Sequence, residues 1–159
     1  MISILIPIYN GIEYINESVT SVLDQSYENW ELIIGVNGHE ANSSVYQIAK
    51  DYQELDERIK VYDMHTIKGK SNALNAMIKY SNYKYIAILD VDDIWYADKL
   101  EKQVRYLNDY DVCQVHIDHR MIYVQVYVLS MDNYLVINFD LDCFHLHIQH
   151  LYLNHLHKI

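Results

Sequence analysis

A chain of 159 residues, 51% of them apolar, can bury one core and is expected to form a single domain. Its formal charge of −10 argues against a general nucleic-acid or anionic-membrane binder, because such proteins neutralise phosphates with basic patches. Any polyanionic ligand of this chain would need a cation as mediator. Cys113 and Cys143 are too few and too far apart for a disulfide framework or a metal knuckle, and read as buried thiols in a reducing compartment. Met1 leads directly into ISILIPI without a basic segment, and no apolar run approaches the roughly 20 residues that span a bilayer. The expectation is therefore a cytoplasmic chain with no signal peptide and no membrane span.

In chain order, ISILIPI (Ile2 to Ile8), ELIIGV (Glu31 to Val36), IKVYDM (Ile59 to Met64) and YIAIL (Tyr85 to Leu89) are unbroken apolar runs rich in Ile and Val. Such runs predict strands covered on both faces, hence parallel strands. Between them, Ile15, Val19, Val22 and Leu23 mark one helix face, Val45, Ile48, Ala49 and Tyr52 a second, and Ala73, Leu74, Met77 and Ile78 a third. Leu100, Val104 and Leu107 continue the pattern. Alternating strands and helices imply right-handed crossovers and an open α/β sheet, mostly parallel and Rossmann-like, with ligands at the carboxyl ends of the strands.

The sequence changes character after about Val112: Glu ends at Glu101, Gly at Gly69, and seven of the nine histidines lie at or beyond His116. MIYVQVYVL (Met121 to Leu129) has strand propensity, whereas HLHIQHLYLNHLHKI suits either strand or helix. The expected organisation is residues 1–112 as the patterned domain and 113–159 as an atypical His-rich tail. In that tail His145, His147, His150, His155 and His157 fit no single metal-binding geometry, and read as a polar tail rather than a zinc site.

Asp90-Val91-Asp92-Asp93 follows the fourth predicted strand and places three carboxylates in four positions. The bare pattern is weak, since Asp109-Tyr110-Asp111 and Asp140-Leu141-Asp142 share it, but only the first follows a buried strand and precedes a patterned helix. Clustered carboxylates suit Mg²⁺ or Mn²⁺, which bind through one or two carboxylates plus a substrate's phosphates. The alternative is a solvated turn that caps the next helix.

Together with ISILIPIYNGIEYINESVTSVLDQSYENWELIIGVNG and KGKSNALN, the stretch ILDVDDIWYADKLEKQVRYL resembles the nucleotide-sugar-binding half of the family two glycosyltransferases, the inverting group with the A-type fold. The resemblance covers about residues 2–112. It implies that Pro7, Tyr9 and Asn10 help form the nucleotide base pocket. After the second strand the family carries one or two aspartates toward base or ribose; this chain has Val36, Asn37 and Gly38, which bears on donor choice. Lys70, after the Gly69 turn, is the basic residue near the donor, although many helices begin with a similar turn. Asp90, Asp92 and Asp93 match the metal and ribose motif, with Asp92 and Asp93 as metal ligands. The cation would steady a nucleoside diphosphate as it leaves a nucleotide sugar, most often a uridine diphosphate sugar. Trp95 is expected to pack beneath the site.

Transfer to an acceptor hydroxyl, of a glycan or another molecule, needs a general base. The family's downstream Glu-Asp-type segment and Gln-x-x-Arg-Trp motif are missing, and Asp118, Asp132, Asp140 and Asp142 remain without a recognisable context. No catalytic residue can be assigned. The C-terminal side of the fold is accordingly expected to be incomplete, as in a truncated or frameshifted copy with Tyr110 to Cys113 its last residues in frame. Two functions follow: sugar transfer from a nucleotide donor, or a catalytically inactive remnant that still binds nucleotide sugar and metal. Nucleotidyl transfer is a weaker alternative, because PIYNGIEY is not a Gly-rich, basic phosphate loop.

Overall fold

The computed structural model describes residues 1–105 and short strands at 129–130, 137–138 and 147–148. Strands β1 (Ile2–Ile8), β2 (Trp30–Asn37), β3 (Ile59–Met64) and β4 (Tyr85–Ile88) alternate with α1 (Ile15–Leu23), α2 (Ser44–Asp51) and α3 (Lys70–Ile78), and α4 (Lys99–Val104) follows β4. The fold is an open sheet of four parallel strands, in the order β3-β2-β1-β4, flanked by helices. β5 (Leu129–Ser130) adds antiparallel to β4, and β6 (Ile137–Asn138) pairs with β7 (His147–Ile148) in a separate antiparallel ladder. The expected change of organisation at 112/113, both cysteines, and the aspartates and remaining histidines of the tail lie outside the described residues.

Strand parity sorts the side chains. Ile2, Ile4, Ile6 and Ile8 of β1 join Leu32, Ile34 and Val36 of β2 in a core closed by Val19 and Val22 of α1, Ala49 of α2 and Leu100 of α4. On the other face Leu5, Ile33 and Ile88 meet Leu74 and Met77 of α3. Each fully buried aliphatic side chain contributes roughly 1.5–3 kcal/mol, so the sheet's two covered faces hold the fold together. Gly35 brings α3 close: a Cβ there would stand 2.8 Å from Met77 Sδ. One expected core residue is misplaced, because Ile48 is 46% exposed and α2 buries Ala49 alone. That helix and the turn after it pack on the core through Val45, Tyr46, Ala49 and Tyr52, which leaves Ile48 on the solvent side.

The chain adds β2 and β3 on one side of β1, then crosses back under the opposite face through α3 to place β4 on the other side. Right-handed crossovers require that change of face, and the reversal leaves a crevice between the carboxyl ends of β1 and β4. No helix among the described residues is long and apolar enough to cross a membrane.

Candidate functional site

The crevice is opened by Pro7. Leu89 N donates to the Leu5 carbonyl at 3.0 Å, so the odd residues of β1 direct their backbone groups toward β4. Pro7 would be next, but it has no N–H to give, and the β1–β4 ladder stops at Leu5 and Ile88 while the ladder to β2 continues to Ile8 and Val36. The two strands part there. Pro7 itself is buried; Tyr9 and Asn10 emerge exposed on one side of the opening. Beyond them Gly11 holds φ +84°, and a Cβ there would meet Val91 Cγ1 at 3.0 Å, so the loop after β1 rests on the acidic loop.

Asp90, Asp92 and Asp93 occupy that loop, where Asp93 N donates to the Asp90 carbonyl at 3.0 Å and closes a tight turn. Helix α4 begins only at Lys99, and its capping residue is Asp98. The cluster therefore does not cap the helix, although it does form a turn with Asp92 open to solvent. Asp92 is exposed and Asp93 half-buried. Burial pushes the Asp93 carboxyl up to about 6, with Asp90 and Asp92 adding repulsion that Lys70 offsets in part. Lys70, in the first turn of α3, reaches across the crevice to Asp90 Oδ2 at 2.5 Å. A cation in a first turn works against the helix dipole, so this contact, not helix formation, accounts for its position. Gly69 at φ +84° supplies the turn that aims the helix start at the site.

The acidic loop is held from behind by a residue that the sequence pattern did not single out. Buried Gln25 donates from Nε2 to the Tyr96 carbonyl at 2.8 Å and accepts from Leu100 N at 3.0 Å. Ser26 N donates to the Ala97 carbonyl at 2.8 Å. Trp95 is buried as expected, with Lys99 Nζ 3.5 Å from its ring centroid.

At the end of β2, Asn37 is 1% exposed and turns its amide toward the Ile67 carbonyl at 3.5 Å, tying β2 to the loop before α3. Gly38 and His39 instead meet Tyr9. Of the residues singled out in the sequence, Tyr9 and Asn10 thus follow the carboxyl end of β1, Asp90, Asp92 and Asp93 follow that of β4, Lys70 reaches Asp90, and Pro7 and Asn37 are buried near the ends of β1 and β2. His39 was missed; its only sequence signal is its place just past a buried strand's carboxyl end.

Residues 3–154 match the family model described as glycosyl transferase family 2. The chain is 39% identical over 104 residues to the UDP-Glc:alpha-D-GlcNAc-diphosphoundecaprenol beta-1,3-glucosyltransferase WfgD of Escherichia coli, covering 65% of this chain and 40% of that protein. It thus spans less than half of that relative's length. Among solved structures, the mannosyltransferase PcManGT of Pyrobaculum calidifontis, in complex with GDP-Man and Mn²⁺, superposes with a TM-score of 0.69 at 17% identity, covering 82% of this chain and 44% of that one. Residues 1–349 of S. aureus TarS, in complex with UDP-GlcNAc, give a TM-score of 0.60 at 19% identity, covering 77% and 36%. These two likenesses concern the fold.

Proposed function

This chain belongs to glycosyl transferase family 2, and we propose that its crevice binds a nucleoside diphosphate sugar with a divalent cation, for transfer of the sugar to an acceptor hydroxyl. The observation that carries this reading is the tight turn just past β4 that gathers Asp90, Asp92 and Asp93, where burial first and the two acidic neighbours second push the half-buried Asp93 carboxyl up and Lys70 offsets part of that. Folding alone has no use for such crowding, whereas a cation relieves it. Among the described residues no three His, Cys, Asp or Glu side chains converge on one point. Mn²⁺ or Mg²⁺ would take one or two carboxylates from the protein and the rest of its ligands from phosphates and water. Asp92 and Asp93 would be those ligands, since Asp90 already engages Lys70. When bound, the ion supplies Lewis-acid neutralisation of charge on the departing diphosphate.

The chain's own residues prepare the remainder. Lys70 steadies Asp90 for the ribose side of the nucleotide; Tyr9 and Asn10 form the outer wall of the base pocket, and Pro7 and Asn37 fix its backbone. A uridine diphosphate sugar is the favoured donor, as the name of the Escherichia coli relative indicates for that enzyme. A second reading is donor binding without transfer: no Glu follows Glu101 in this sequence, and Asp118, Asp132, Asp140 and Asp142 are its carboxylate candidates for an acceptor-activating base.

Titration calorimetry with uridine diphosphate tests the site. Binding should be at least about tenfold tighter with Mn²⁺ than with chelator, because the carboxylates alone repel a diphosphate. Equal affinity in both would defeat the reading. Release of free nucleotide from uridine diphosphate glucose only when an acceptor sugar is added would distinguish transfer from binding alone.

A further inference from the structure

We propose that His39 is a positioning residue that fixes the Tyr9 ring as a wall of the nucleotide pocket, an inference resting on the donor-site reading above. Tyr9 is 57% exposed, and a tyrosine standing free at a strand end samples several rotamers. Here it is held on two sides. Gly38, at φ +75°, lies so close that a Cβ would stand 2.8 Å from Tyr9 Cδ2 and Cε2, a contact that only glycine permits. The His39 ring lies 5.6 Å from the Tyr9 ring, centroid to centroid, tilted by 34°. His39 Nε2 also stands 2.5 Å from the Tyr9 carbonyl oxygen. A carbonyl only accepts, so Nε2 carries the proton and donates.

One side chain therefore pins both the backbone and the ring of Tyr9 and joins the carboxyl ends of β1 and β2. A wall ordered in advance spares the ligand the cost of ordering it, so the benefit falls on ligands that bear a base. In the donor-site reading the diphosphate belongs with Lys70 and the acidic loop rather than with this contact.

The test compares uridine diphosphate with inorganic pyrophosphate, each with Mn²⁺, on the unsubstituted chain and on His39→Ala and His39→Gln. Glutamine places an N–H near the position of Nε2. His39→Ala should weaken uridine diphosphate binding by about three- to tenfold, the worth of one hydrogen bond and its ordering, with pyrophosphate affinity unchanged and the thermal midpoint lowered by no more than a few degrees. His39→Gln should recover most of the loss. Unchanged uridine diphosphate affinity in His39→Ala, or an equal loss for pyrophosphate, would overturn this inference alone. No uridine diphosphate binding by the unsubstituted chain would overturn the donor-site reading and this inference with it.

Discussion

Glu31 and Asp93 are carboxylates drawn into the protein at opposite ends of one sheet, and their surroundings differ in kind. Glu31, at the amino end of β2, is 8% exposed and fully engaged. Its Oε1 accepts from Ser3 Oγ at 2.5 Å and from Asn82 N at 2.7 Å, and its Oε2 from Asn82 Nδ2 at 2.7 Å. Tyr83 N donates to Ser3 Oγ at 3.2 Å, so one side chain ties β1, β2 and the loop entering β4. Asp93, beyond the carboxyl end of β4, has like charges for neighbours. A buried charge with its hydrogen bonds made is a strut; one left crowded costs stability and marks a place where a ligand completes the structure.

The largest effect on stability should come from breaking the strut. Glu31→Ala leaves Asn82 N and Ser3 Oγ without their acceptor, at a cost of roughly 3 kcal/mol, read as a lower urea midpoint. Uridine diphosphate affinity of the folded variant should not change. A loss of binding with stability intact would reverse the roles of the two ends.

Asp93→Asn should have the opposite sign. The Asp93 carboxyl rises from 3.8 to about 6 on folding, so the folded state holds more protons within that window. Stability attached to this group therefore falls as pH rises through the window, and the penalty is complete above about pH 6. In chelator, Asp93→Asn should exceed the parent by about 1 kcal/mol at pH 7, allowing for solvent screening, and by nothing below the unfolded value. Thermal midpoints at pH 7 and at acid pH check this; an advantage independent of pH would contradict it.

The smallest change is expected from Lys70→Met. The Lys70 and Asp90 side chains are 41% and 38% exposed, and ion pairs so open to solvent contribute within about 0.5 kcal/mol. A urea-measured loss above about 1 kcal/mol would make this pair a strut like Glu31 and sharpen the contrast differently.

The sequence disclosed the sheet because burial on both faces leaves unbroken apolar runs: Ile2–Ile8 and Ile59–Met64 have the expected bounds, and Trp30–Asn37 and Tyr85–Ile88 differ by a residue or so. Asp90 to Asp93 was conspicuous for the same local reason, a charge run meeting a buried strand. Contacts between distant residues were not legible. Glu31 finds Asn82 across 51 positions, Gln25 finds Leu100 across 75, and Lys70 finds Asp90 across 20. Nothing in a local pattern names such partners, because they are chosen by the crossover that carries β4 to the far side of β1. His39 was passed over for that reason, and Ile48 was overvalued because periodicity ignores how much of a helix the sheet covers.

The central claim, that the carboxyl-end aspartates serve a ligand at the expense of the fold, is tested most directly by thermal unfolding of the Asp92→Asn, Asp93→Asn double variant at pH 7, with and without uridine diphosphate plus Mn²⁺. The unliganded midpoint should equal or exceed that of the parent, and the upward shift that ligand gives the parent should vanish. A lower unliganded midpoint, or a ligand shift as large as the parent's, would contradict the account.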